Sequence, residues 1–227
     1  MNTAIIAAAG SGQRFNSDTP KQFIEIGGKP ILLHSIERFV ACESIDEIVV
    51  VIAEDQIDGF SSRHDVLHIR NLRFVAGATS RAESVFNGLL AVDSGTAIVA
   101  VHDGARPLVT PDEIARTIER ARETGAACLT APVTDTIKEV DEGWITGTVD
   151  RRMLRRAMTP QAFKYDLLME AFRGRDLGDD ITDECYLVER LGHKIASVAG
   201  GTRNVKITHS EDLVLAESFL LAESLRK

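Results

Sequence analysis

The run Ala4-Ile5-Ile6-Ala7-Ala8-Ala9 is apolar at every position and is stopped at once by Gly10-Ser11-Gly12. A strand that is apolar on both faces must be covered on both, the condition of an inner strand in a parallel sheet. The pattern recurs: residues 47–52 and 97–101 are β-branched runs, and residues 72–75 form a shorter one. Between these runs the period changes to that of a helix. Pro30 opens one with Ile31, Leu32, Ile36, Phe39 and Val40 on a common face, and Ser80 is placed to cap another carrying Val85, Phe86, Leu89 and Leu90. Pro111-Asp112-Glu113 starts a third, its acids at the positive end of the helix dipole. Strands alternating with helices in this way predict an α/β chain with a Rossmann-like, mostly parallel sheet covered by helices on both faces. The 227 residues are expected to form one domain.

After residue 131 the rhythm breaks. Residues 136–140 and 144–149 read as alternating strands around Asp141-Glu142-Gly143, which predicts a β-hairpin arm over about residues 134–152. A lone two-stranded ribbon is marginal in water, so the arm needs another surface, and a second copy of the chain is the natural one. Trp144 reads as a packing residue of that arm rather than a platform for a base. The final segment, from Ser210-Glu211-Asp212 through Leu213, Leu215, Ala216, Phe219, Leu220 and Leu225, predicts an amphipathic helix with early acids.

Charge narrows the partners. The net charge of −8, with no stretch that concentrates Lys and Arg, argues against polymeric nucleic acid. Cys42, Cys128 and Cys185 lie far apart and without C-x-x-C spacing, the pattern of reduced cytoplasmic thiols. No window reaches the roughly 18 apolar residues of a membrane span, and residues 3–9 lack the basic flank of a signal peptide. A soluble, cytoplasmic protein without a membrane partner is expected.

The glycines after the first run lie where open α/β sheets bind ligands, at the carboxyl ends of the strands. The dinucleotide fingerprint fails because Phe15 stands where its last glycine belongs, and no Gly-Lys-Ser/Thr is present for a Walker loop. Two readings remain. One is a loop that cradles phosphate with the cations Arg14 and Lys21 close behind it; the other is a tight turn with solvated basic residues.

The string Ala8-Ala9-Gly10-Ser11-Gly12-Gln13-Arg14 followed by Pro20-Lys21-Gln22 resembles the nucleotide-binding signature of the 2-C-methyl-D-erythritol 4-phosphate cytidylyltransferases. The resemblance runs on, in order, through residues 101–107, Ala131-Pro132-Val133, Asp135-Thr136, Thr148-Val149-Asp150-Arg151, Thr159-Pro160-Gln161, Thr182-Asp183-Glu184 and residues 204–208. It implies a nucleotidyltransferase-type fold whose arm is a homodimerisation element. It also implies a reaction in which the phosphate of methylerythritol phosphate attacks the α-phosphorus of CTP and releases pyrophosphate, with Mg2+ or another divalent cation as cofactor.

Roles follow from the same resemblance. Arg14 and Lys21 would stabilise the transition state, and Arg151 and Lys206 would position the acceptor phosphate. Ala8, Ala9, Gly10, Gly12, Gly77 and Ser84 match positions that contact cytidine, although Ala78 and Thr79 depart from the glycine and acid common there. Asp103 and Arg106, just past the run 97–101, are candidates for substrate contact; Asp103 could also reach the metal through water, or simply cap its loop. Thr136 and Thr159 match positions around the acceptor. Arg151 and Thr159 follow the arm and would reach into the partner's site. The competing readings are a ribitol 5-phosphate cytidylyltransferase, which shares the glycine loop, and a nucleotide-binding protein without catalysis.

Overall fold

The computed structural model describes residues 1–10, 19–174, 177 and 181–225. In chain order the strands are β1 (Asn2–Ala7), β2 (Glu25–Ile26), β3 (Lys29–Pro30), β4 (Glu47–Ile52), β5 (Leu72–Ala76), β6 (Ile98–Asp103), β7 (Ala126–Pro132), β8 (Ile137–Asp141), β9 (Trp144–Val149), β10 (Arg155–Lys164) and β11 (Ala196–Ala199). The helices are α1 (Ile31–Val40), α2 (Ile57–Ser61), α3 (His64–Leu67), α4 (Arg81–Ala91), α5 (Pro111–Thr124), α6 (Tyr165–Phe172), α7 (Glu184–Glu189) and α8 (Ser210–Ser224).

The main sheet has seven strands in the order β11-β7-β10-β6-β1-β4-β5. β1 runs parallel to both β4 and β6, β4 parallel to β5, and β11 parallel to β7, while β10 is antiparallel to β6 and β7. The sheet is therefore mostly parallel, as the apolar runs imply. Alternate side chains of one strand serve opposite layers. Ala4, Ile6, Ile48, Val50 and Ile52 pack with Leu32, Leu33, Ile36 and Phe39 of α1 and Ile114 and Ile118 of α5. Ile5, Val49, Val51, Val99 and Val101 pack on the other face with Val85 and Leu89 of α4 and with Leu168, Phe172, Leu187 and Val188 of α6 and α7.

The helix starts obey local chemistry with small shifts from the sequence reading. Ser80 and Thr110 each close a capping box, with Glu83 and Glu113. Pro30 is the residue before α1 rather than its first turn, because its ψ of 142° is extended. At α8 the cap is His209, which pairs reciprocally with Asp212. Leu90, expected on the packed face of α4, is exposed, as are Leu215 and Leu225 around α8. Ala216 is buried, and Leu213, Phe219 and Leu220 pack beside it on Ile26, Ile31, Leu108 and Ile207.

β8 and β9 form their own two-stranded sheet. Asp141 pairs with Trp144 across the two-residue turn Glu142-Gly143, where φ is 45° and 85°. Positive φ at both positions gives a tight turn that matches strand twist, which is why glycine serves here. Along the hairpin Val140, Trp144 and Ile145 are exposed, and Trp144 reaches 78%. The tryptophan therefore packs on nothing substantial in its own chain.

Candidate functional site

β1, β6, β4 and β5 end at one rim, and their register places Ala7 beside Asp103. The chain leaving β1 is pinned on both sides. Ala8 N–H donates to Val51 O at 2.7 Å, and the buried Gln22 side chain donates through Nε2 to Ala8 O at 2.7 Å and to Gly10 O at 3.1 Å. Gln22 sits in a single 3-10 turn with Lys21, whose Nζ donates to Ile207 O at 2.9 Å. The Pro-Lys-Gln stretch thus aims an amide at the chain leaving β1 and an ammonium group at Ile207 O.

The segment after β5 forms the opposite wall. Ser84 is buried, and its hydroxyl accepts from Ala78 N–H at 2.9 Å and donates to Ser80 O at 2.8 Å, so it shapes this loop as well as lining the space above it. Gly77 stands behind the wall rather than on it. A Cβ there would lie 2.2 Å from Ala9 Cβ, so the two loops can meet this closely only with glycine.

Between the walls lies a cavity of about 740 Å³. Its lining includes Ala8, Ala9, Gly10, Lys21, Ser84 and Thr208. A polar cavity of about 120 Å³ adjoins it, lined by Arg106, Thr159, Gln161 and Asp183 among others. Arg81, Asp103 and Lys206 line both.

That shared wall is a charge network. Asp103 Oδ1 accepts from Arg81 Nε at 3.3 Å, while Oδ2 meets Arg106 Nε at 3.1 Å and Lys206 Nζ at 3.0 Å. Burial alone would raise the Asp103 pKa, but Arg81, Lys206 and Arg106 outweigh it and hold the carboxyl well below the usual range. Arg81 also grips Glu184 through two bonds, at 2.7 and 3.1 Å. Burial works against the Arg81 charge, yet Glu184 and Asp103 push its pKa above the ordinary arginine value.

Beneath Asp103 lies His102, fully buried and 4.9 Å from the Phe39 ring. Its Nε2 is 3.1 Å from Arg106 O, a carbonyl that can only accept, so Nε2 carries the proton. Nδ1 is then an acceptor, and the Thr159 hydroxyl, 3.0 Å away, donates to it while accepting from Asp103 N–H at 3.1 Å. Burial lowers the His102 pKa to about 4, which keeps the ring neutral and this chain of bonds intact at neutral pH. Asn204 completes the clamp: its Nδ2 donates to Thr159 O at 2.9 Å and its carbonyl accepts from Arg106 Nη1 at 2.9 Å.

The rim therefore gathers Ala8, Ala9, Gly10, Lys21, Ser84, Asp103, Arg106, Thr159 and Lys206 of the residues expected from the sequence. Thr136 and Arg151 lie apart from both cavities, exposed on and beside the arm, with Arg151 Nη1 donating to Thr134 O. Gly12 and Arg14 fall outside the described residues. Four contributors were given no role from the sequence: Arg81, Glu184, Gln22 and His102. Gln22, His102 and Glu184 lay within the strings that carry the resemblance, and Arg81 carried another signal, a basic residue just past the end of a strand at the ligand-binding rim.

Comparisons with known proteins place the chain in a family. The family model described as IspD, 2-C-methyl-D-erythritol 4-phosphate cytidylyltransferase, matches residues 2–222. A relative of that name from Geobacter metallireducens is 42% identical over 226 residues, covering 96% of each chain. Another, from Syntrophus aciditrophicus, is 41% identical over 230 residues, covering 98% of this chain and 97% of its own. The solved structure of the 4-diphosphocytidyl-2C-methyl-D-erythritol synthase from Anaerococcus prevotii superposes with a TM-score of 0.84 at 32% identity, covering 97% of this chain and 96% of its own. With its fold and nearly its whole length matched, the chain belongs to the 2-C-methyl-D-erythritol 4-phosphate cytidylyltransferase family.

Proposed function

We propose that the larger cavity takes CTP and that the small polar cavity beside it takes the phosphate of 2-C-methyl-D-erythritol 4-phosphate. The chain is a nucleotidyltransferase of isoprenoid precursor biosynthesis: it transfers a cytidylyl group from CTP to that acceptor and releases pyrophosphate. The observation that carries the assignment of sites is the wall of Arg81, Asp103 and Lys206 common to both cavities, which would put the two reacting phosphates side by side.

The obstacle to this reaction is repulsion. Two unit charges about 4 Å apart at a protein surface interact by roughly 4 kcal/mol, and each substrate brings more than one. Lys21 faces the nucleotide cavity, and Lys206, whose side chain remains 37% exposed, can turn to either phosphate. Arg106 is mostly committed, through Nε to Asp103 and through Nη1 to Asn204 O, and so fixes the depth of the acceptor pocket. In our reading the acceptor oxygen attacks the α-phosphorus while the bond to the β-phosphate breaks, and Arg14, Lys21 and Lys206 hold charge and alignment. The Thr159 hydroxyl proton is occupied by His102, so Thr159 serves the acceptor by fixing Asp103.

A divalent cation fits on limited terms. Asp103 is the one carboxylate lining the larger cavity among the described residues, and both of its oxygens are ion-paired. Mg2+ would therefore be held mainly by the triphosphate, with Asp103 reaching it through water, and when bound it would neutralise phosphate charge.

The arm supports a homodimer. Its exposed Trp144, Ile145 and Val140, with Met153 just beyond, form apolar surface, and Arg151 and Thr136 beside them would complete the site of a second copy. The net charge of −8 favours small substrates over nucleic acid polymers, and the three free thiols support a cytoplasmic setting. No helix among the described residues is long and apolar enough to cross a membrane. Incubation with CTP, Mg2+ and methylerythritol phosphate, followed by detection of pyrophosphate and the cytidine diphosphate product, tests the assignment. Product with this acceptor and little with ribitol 5-phosphate is expected; the reverse preference would overturn it.

A further inference from the structure

Glu184 is wholly buried and lines neither cavity, yet it is charged and sits behind a site that must collect anions. Apolar packing of similar volume would commonly be at least as stable, so the carboxylate needs another reason to be there. Its place is fixed with care. The single side chain of Gln161 holds both neighbours, donating through Nε2 to Asp183 Oδ2 at 2.8 Å and accepting at Oε1 from Cys185 N–H at 3.1 Å. Asp183 Oδ1 in turn caps α7 by accepting from Tyr186 N–H at 2.9 Å. Held this way, Glu184 meets the fork of Arg81 with one oxygen on each terminal nitrogen, at 2.7 and 3.1 Å.

The consequence lies one contact further on. With two of its nitrogens on Glu184, Arg81 touches only Oδ1 of Asp103, and Oδ2 is left to Arg106 and Lys206. We infer that Glu184 is a positioning residue for the transfer reaction, holding Arg81 in the wall between the two cavities so that Asp103 keeps Lys206 and Arg106 in place for the acceptor phosphate. Without that carboxylate, Arg81 turns fully onto Asp103 and displaces Lys206. The inference rests on the assignment of the two cavities to CTP and the acceptor phosphate.

The test compares the wild type with Glu184→Gln, Arg81→Lys and the double variant, varying each substrate in turn and following thermal unfolding in parallel. Glu184→Gln should fold and lose about tenfold in kcat/KM for the acceptor, chiefly through KM. Arg81→Lys keeps the charge but loses the fork and should show a similar loss, and the double variant should fall little further because both act through one contact. Additive losses would overturn the inference, as would a folded Glu184→Gln with kinetic constants within about twofold of wild type. If Glu184→Gln does not fold, Arg81→Lys decides, and an unchanged kcat/KM there contradicts the role. Failure of the wild type to turn over would count against the substrate assignment alone. Calorimetric titration with inorganic phosphate then carries the comparison, since Arg81, Asp103, Arg106 and Lys206 line the small polar cavity: several-fold weaker binding by the variants is expected, and equal binding overturns the inference.

Discussion

The rim of the sheet and the hairpin arm carry the same kinds of side chain, arginines or lysines beside threonines, but they hold them in opposite ways. At the rim, Arg81 and Arg106 are locked to a buried carboxylate, Lys206 leans on it, and a neutral histidine fixes the threonine below. On the arm, Arg151 has a carbonyl of its own hairpin base, Thr136 is exposed, and Trp144 stands in solvent. Preorganisation lowers the cost of aligning charge in a transition state. The rim has it within one chain. The arm lacks it within one chain, which is the physical reason for our proposal that it serves a partner's site.

Removing a cation from the rim should have the largest effect. Lys21→Ala is expected to lower kcat about a hundredfold, roughly 3 kcal/mol of transition-state stabilisation, while the melting temperature stays near that of the wild type. Rates within a few-fold of wild type would place the charge that matters elsewhere.

The lock beneath the rim can be strained with acid. His102 stays neutral in the folded chain down to about pH 4, whereas the unfolded chain takes up that proton near 6.5. The unfolded state thus binds more protons between those values. Stability is full above about pH 6.5 and falls as the pH drops toward 4, by up to about 3 kcal/mol from this residue. Asp103, held below its ordinary range, loses its contribution only at more acidic pH, so it does not confuse this window. Denaturant titrations of wild type and His102→Gln at pH 7, 5.5 and 4.5 should show a shallower decline in the variant. Equal slopes would mean that the ring is protonated in place.

The same contrast explains what the sequence could show. Apolar runs announced β1, β4 and β6 because burial on both faces leaves no polar position in the run, and Glu142-Gly143 announced the arm because only such residues take its turn. Lys21 and Lys206 were legible as members of ordered motifs. Arg81 was not, and Glu184 showed only within the string Thr182-Asp183-Glu184, since the two meet across 103 positions and periodicity reports burial, not which charges find each other. His102 read as part of a string of site residues, while its work, fixing Thr159 and the Arg106 carbonyl, depends on a strand that arrives 57 residues later. Leu215 and Leu225 failed for the opposite reason, because an apolar side chain at the edge of a helical face need not find a partner.

Mixing two inactive variants examines the division between rim and arm most directly. Lys21→Ala has a broken rim and an intact arm, and Arg151→Ala the reverse. If each site takes its rim from one protomer and its arm from the other, an equimolar mixture allowed to exchange subunits holds half heterodimers, each with one intact site. Activity should then recover to about a quarter of the wild-type level. No recovery at any mixing ratio, with exchange confirmed, would mean that rim and arm serve the same chain or that the arm takes no part in the reaction.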